Sequence, residues 1–112
     1  VITAVAFAVA AATGALARAE AGRRWNRHDG FPLGTLLVNV SGSFLLGLLW
    51  DVSPPMLTAL GVGGLGAFTT FSSFARDAVA LGQQGGVVRA AVYVAVTCAA
   101  GIGAASIGLA MA

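Results

Sequence analysis

Charged side chains divide the sequence into four long apolar runs. Residues 1–17, 30–50, 52–75 and 90–112 contain no Asp, Glu, Lys or Arg. A helix needs about 20 apolar residues to cross the roughly 30 Å hydrocarbon core of a bilayer. The pattern therefore predicts an all-α, integral membrane subunit in a single domain, with spans at approximately 1–18, 33–50, 56–80 and 87–111. Four spans leave room only for short connections. Residues 18–32 form a polar stretch ending at Gly30-Phe31-Pro32, and the proline suits the start of a helix. Asp51-Val52-Ser53-Pro54-Pro55 reads as a tight turn, and Gln83-Gln84-Gly85-Gly86 as the third connection. The first run lacks the basic region that opens a signal peptide and continues to Arg18, so it reads as a true span.

Composition agrees with the pattern. Apolar residues make up 58% of the 112 residues, there are 16 glycines, and 9% are charged, where about a quarter is usual in soluble domains. Such a chain cannot cover a soluble core with polar surface, and it fits neither a disordered segment, a nucleic-acid binder nor a disulfide scaffold. The net charge of +2 comes from six arginines against four acids. Arg23, Arg24, Arg27 and Arg89 all fall in the first and third connections, which places that side in the cytoplasm by the positive-inside rule. Cys98 has no partner for an internal disulfide and reads as a small packing residue. Small residues four apart, as in Ala10/Gly14, Ser43/Gly47 and Ala104/Gly108, let helix backbones approach closely in lipid.

Polar residues inside the runs carry the chemical information. Asn39 lies mid-span, where an unpaired amide is costly, so it forms an interhelical bond or faces a polar pathway. Span three places Gly61, Gly63, Gly64 and Gly66 before Thr69-Thr70-Phe71-Ser72-Ser73-Phe74. Glycine and threonine are weak helix formers, which suggests a break near residues 66–70; the alternative is a continuous helix whose hydroxyls bond to their own carbonyls. Phe71 and Phe74 share a helix face, either as packing or as ring edges turned toward an anion. Tyr93 and Thr97, one turn apart, extend a polar strip along span four. Arg18 and Asp77 read as end-groups of their spans that reach toward the interface. His28 reads as solvated, and neither a metal cluster, a nucleotide loop nor a nucleophile–base pair can be assembled, so the chain is not read as an enzyme.

Three strings, Gly14-Ala15-Leu16-Ala17-Arg18, Gly34-Thr35-Leu36-Leu37-Val38-Asn39 with Gly42-Ser43-Phe44, and Thr69-Thr70-Phe71-Ser72-Ser73-Phe74, resemble signatures of the CrcB/Fluc fluoride channels. The resemblance implies an antiparallel dimer of four-helix subunits with two fluoride pores, and a third helix broken near the bilayer midplane. It further implies a structural sodium ion held by backbone carbonyls at that break, for which Gly66 and Thr69 match. On the same basis Asn39 matches a pore-lining asparagine, Phe71 and Phe74 the paired rings, and Ser72 and Ser73 a hydroxyl track. Tyr93, Thr97 and Arg18 match the remaining pathway positions. Ala19, Ala67 and Asp77 depart from the family pattern, where an aromatic, a second glycine and a glutamate are common.

The implied activity is passive, fluoride-selective efflux across a prokaryotic cell membrane by a multi-pass protein in contact with lipid. The arginine asymmetry predicts one fixed orientation, with the second subunit either identical or a related chain of opposite orientation. Two other functions compete. A small proton-coupled multidrug exporter needs a membrane-embedded acid, which residues 1–17 lack. A non-transporting assembly subunit explains the glycines but not Asn39 or residues 69–74.

Overall fold

In the computed structural model, residues 1–26 and 30–112 are described; within them the chain is helical, with no strand. The readings of Arg27, His28 and Asp29 lie outside the described residues. Helix α1 spans Ile2–Trp25, well past the expected end at residue 18. Glu20 explains the extension, because its carboxylate pairs with Arg23 and Arg24 at 2.6 Å, three and four residues on. Pairs at that spacing support a helix, and cations suit its C-terminal end. Helix α2 (Leu33–Leu48) follows Pro32, and the Asn26 side-chain oxygen accepts a hydrogen bond from the Thr35 N–H at 3.1 Å. The tail of α1 thereby caps the first turn of α2, one of the donors a helix start leaves unpaired.

The third span is composite. Helix α3 (Pro54–Met56), opening on two prolines, continues into a π-helical stretch, Leu57–Leu65, and then a short α-helical turn, α4 (Gly66–Phe68). Thr69 and Thr70 are extended, with ψ of 157° and 118°. Helix α5 (Phe71–Gly85) then resumes the path. Gly61, Gly63 and Gly64 thus lie where the helix widens rather than ends, Gly66 opens the α-helical turn that follows, and the extended backbone is confined to the two threonines. Gly86 alone, at φ +92°, joins α5 to α6 (Val87–Met111). That connection is shorter than the sequence suggests, because a left-handed glycine reverses the chain in one residue.

Packing relies on missing side chains. A Cβ on Gly47 would strike the Ala105 carbonyl oxygen, and one on Gly108 the Phe44 carbonyl oxygen, so α2 and α6 meet backbone to backbone. A Cβ on Gly14 would strike the Gly64 carbonyl oxygen, joining α1 to the π-helical stretch in the same way. The small-residue spacings therefore serve contacts within this chain, where dispersion between close backbones is the main gain available in lipid. Ile2–Trp25, Pro54–Gly85 and Val87–Met111 are long and apolar enough to cross a membrane; Leu33–Leu48 is apolar but shorter. Trp25 and Trp50, both exposed, lie at opposite ends of this bundle, as interface aromatics do.

Candidate functional site

The interruption at Thr69–Thr70 removes hydrogen bonds that a continuous helix would make, and the chain replaces some of them with side chains. The Thr70 N–H, which would otherwise reach Gly66, donates to Asn39 Oδ1 at 2.8 Å. Asn39 Nδ2 in turn donates to the Thr70 carbonyl at 3.1 Å. One amide on α2 therefore grips both polar groups of a single peptide residue. The Ser73 N–H, which would otherwise reach Thr69, donates to Thr70 Oγ1 at 3.1 Å, making Thr70 the N-cap of α5. The Ala67 carbonyl receives Arg18 Nε at 3.1 Å, a cation at the C-terminal end of a helix.

Gly66 and Thr69 carbonyl oxygens have no replacement donor among the described residues. Their lone pairs fit a hard cation, which takes oxygen ligands. No cluster of three or more His, Cys, Asp or Glu that could hold a metal exists among the described residues. Gly42 lets the chain close here: a Cβ on it would overlap Thr69 Cγ2. Thr69 Oγ1 meanwhile bonds back to the Leu65 carbonyl at 2.9 Å.

Beyond the interruption the aromatic rings form a row. Phe71 and Phe74 centroids lie 6.0 Å apart at 52°, and Phe74 and Tyr93 lie 5.5 Å apart at 40°. Phe31 meets Tyr93 edge-on at 5.9 Å and 81°, and the Arg89 guanidinium lies over the Phe31 ring at 5.9 Å. Tyr93 is fully buried, whereas Phe71 is 80% exposed. Tyr93 Oη and Thr97 Oγ1 lie near each other, closed off from solvent, with no well-formed hydrogen bond to any described residue. Buried hydroxyls without partners are uncommon and mark places where water or a ligand supplies the missing bond.

Of the residues singled out by sequence, Asn39, Gly66, Thr69 and Arg18 converge on the interruption, and Phe71, Phe74 and Tyr93 form the row, with Thr97 one turn beyond. Ser72 Oγ lies 3.3 Å from Thr70 Oγ1, and Ser73 contributes its N–H to the cap. Two expectations are corrected. Arg18 does not reach outward as an end-group, because the unpaired Ala67 carbonyl offers a closer partner. Asp77 is turned inward as well: its side chain is 16% exposed, and Oδ2 accepts from Thr35 Oγ1 at 2.8 Å. A cleft of about 690 Å³ lined by residues such as Val9, Leu45, Leu60 and Phe68 is apolar and contains none of these residues.

Sequence reasoning missed three participants. Thr70 is the residue that Asn39 grips, and its position three before Ser73 at a helix start was a capping signal. Phe31 extends the ring row from what reads as a connection, and no local signal marks it. Thr35 stands one turn before Asn39 on α2, a spacing that puts both on the face toward α5.

Comparison with known proteins gives a consistent answer. A family model described as "CrcB-like protein, Camphor Resistance (CrcB)" matches residues 5–109. The "Fluoride-specific ion channel FluC" of Shewanella piezotolerans is 46% identical over 74 residues, covering 61% of this chain and 60% of that protein. The protein of the same name from Idiomarina loihiensis is 48% identical over 84 residues, covering 67% and 65%. The matched stretch thus spans about two thirds or less of the length of these relatives.

Proposed function

Because the chain belongs to the CrcB family, we propose that it forms a fluoride-selective channel through which fluoride leaves the cell passively. The observation that carries this reading is the interrupted third span clamped by Asn39. At that point the carbonyl end of residues 54–68 meets the amide end of α5. Helix ends carry opposite partial charges, so one side of such a junction suits a cation and the other an anion. On the anionic side stand Ser72, Ser73 and the first N–H groups of α5, followed by the ring row and the unpartnered hydroxyls of Tyr93 and Thr97.

Fluoride holds its water tightly, and a pathway must replace that shell with donors. Asn39, Ser72, Ser73 and Thr97 supply them. The positive edges of Phe71 and Phe74 attract an anion without binding it as firmly as a full charge would. Close rings pass a small halide and obstruct larger ones. A negative-inside potential favours anion exit by about 2.3 kcal/mol per 100 mV, which is roughly 50-fold in concentration. No energy coupling is needed.

The functional unit is an antiparallel dimer in the cell membrane, with the interruption near the bilayer midplane. The exposed Phe71 ring and the polar side of α5 face the second subunit or the vestibule beside it. With Arg23 and Arg24 in the last turn of α1 and Arg89 in the first turn of α6, at the same end of the chain's helices, this chain inserts in one orientation, and its partner is a related chain inserted the other way. The Gly66 and Thr69 carbonyls hold a sodium ion at the junction, where it supplies positive charge against their dipoles.

The test is fluoride-electrode efflux from liposomes containing the purified chain, alone and with a candidate partner. Fluoride release without chloride release is expected, and Phe71→Ile or Phe74→Ile should slow it about tenfold or more while the dimer still assembles. Absence of fluoride release from every reconstituted pairing rejects the channel reading.

A further inference from the structure

Arg76 lies within α5, about 9 Å along the helix axis from Thr70 at 1.5 Å per residue. Its side chain is 74% exposed, and Nη2 is 3.5 Å from Asp77 Oδ1. A guanidinium inside a spanning helix is costly against lipid and is found facing water-filled cavities or paired charges. Two i, i+4 relations fix where it stands: Ser72 and Arg76 share one helix face, and Ser73 and Asp77 the adjacent one. Thus each hydroxyl proposed to receive fluoride has a charged side chain one turn further along α5. Asp77 is held in place by Thr35, so its carboxylate stays one turn beyond Ser73 on α5. A lone carboxylate there repels an anion.

We infer that Arg76 is an anion-gathering residue of the pathway, offsetting Asp77 and raising the local fluoride concentration at the Ser72–Ser73 hydroxyls. The inference rests on the channel reading above and adds to it a residue for which neither hydrogen bonding at the interruption nor ring packing has a use. The other described arginines near the site act elsewhere: Arg18 bonds to the Ala67 carbonyl, and Arg89 lies over Phe31. Arg76 binds Asp77 loosely and keeps its side chain largely exposed. Fixed cationic charge beside an ion path acts through long-range potential, which salt screens.

The test compares wild type, Arg76→Gln and Arg76→Lys in the liposome efflux assay, with ionic strength set by an impermeant organic salt. At about 10 mM, where the screening length is about 30 Å, Arg76→Gln should slow fluoride efflux about fivefold; near 0.5 M the gap should fall below about twofold. Arg76→Lys should retain wild-type rates at both. The inference is overturned if Arg76→Gln matches wild type at low salt, if it slows efflux equally at both ionic strengths, or if lysine fails to rescue. Size-exclusion profiles identify a variant that merely misfolds; in that case efflux through wild type and Arg76→Lys must itself fall as ionic strength rises, and efflux independent of salt overturns the inference. Wild type that carries no fluoride removes the channel reading itself, and this inference with it.

Discussion

The two halves of the third span follow directly on one another in the chain, yet they differ in nearly every physical respect. Residues 54–68 are glycine-rich, partly π-helical and packed against α1, with Gly64 in backbone contact with Gly14. Helix α5 is a regular, strongly amphipathic α-helix with one polar side and a hydroxyl cap. The first half has lost side chains so that its backbone can be approached; the second has gained side chains that bind. Between them, two extended threonines keep their place because Asn39, a side chain from a third element, satisfies the backbone they expose. The lesson is that the interrupted helix is held by a side chain from outside it, since Asn39 pairs both backbone groups of Thr70.

The largest expected effect comes from removing that partner. Asn39→Ala leaves a Thr70 N–H and carbonyl unpaired, and each such group costs about 1–3 kcal/mol. Thermal unfolding in detergent should show a loss of about 2–6 kcal/mol, and efflux should fall at least tenfold. A variant as stable and active as wild type would mean that the two halves support each other without α2. A smaller effect is expected where α2 makes room for the threonines. Gly42→Ala places a methyl against Thr69 Cγ2, an overpacking that costs about 1–3 kcal/mol. Thr69→Ser removes that methyl while retaining the hydroxyl, so Gly42→Ala/Thr69→Ser should recover most of the loss by the same unfolding measurement. Failure to recover would place the cost of the alanine elsewhere than the threonine contact.

The smallest effect tests the glycines themselves. A Cβ on Gly66 meets nothing nearer than the Gly61 carbonyl oxygen at 3.9 Å. Gly66→Ala should therefore be neutral or up to about 1 kcal/mol stabilising, the ordinary helix preference for alanine, with efflux unchanged. A clear loss of activity would show that Gly66 contributes more than its carbonyl.

Much of this architecture is legible in the chain because hydrocarbon penalises polar groups so strongly. Asn39 stood out as an amide with no reason to be mid-span, and it proves to hold a backbone interruption. Residues 69–74 stood out because weak helix formers and hydroxyls fell together. What escaped were features that depend on two distant segments meeting. Nothing local to Gly30-Phe31-Pro32 shows that Phe31 will stand against Tyr93, since that contact is set by how α2 and α6 pack. Arg18 and Asp77 were misjudged for a related reason. Their distance from the span centre was readable, but the unpaired Ala67 carbonyl and the Thr35 hydroxyl that draw them inward were not. The extension of α1 to Trp25 is hidden in the sequence because charges usually mark the end of a span, whereas Glu20 and its two arginines prolong the helix.

Helix α2, with 16 residues, is about 24 Å long, and α6, with 25, about 37 Å. One is shorter than a typical hydrocarbon core and the other longer, and α2 exposes Leu37, Leu45 and Leu46 outward. The surrounding lipid therefore meets the molecule at two heights: acyl chains must compress beside α2, or α6 must lean. Since α2 carries the amide that holds the interrupted span and α6 carries Tyr93, a change in bilayer thickness would bear on the spacing between the two sides of the proposed ion path.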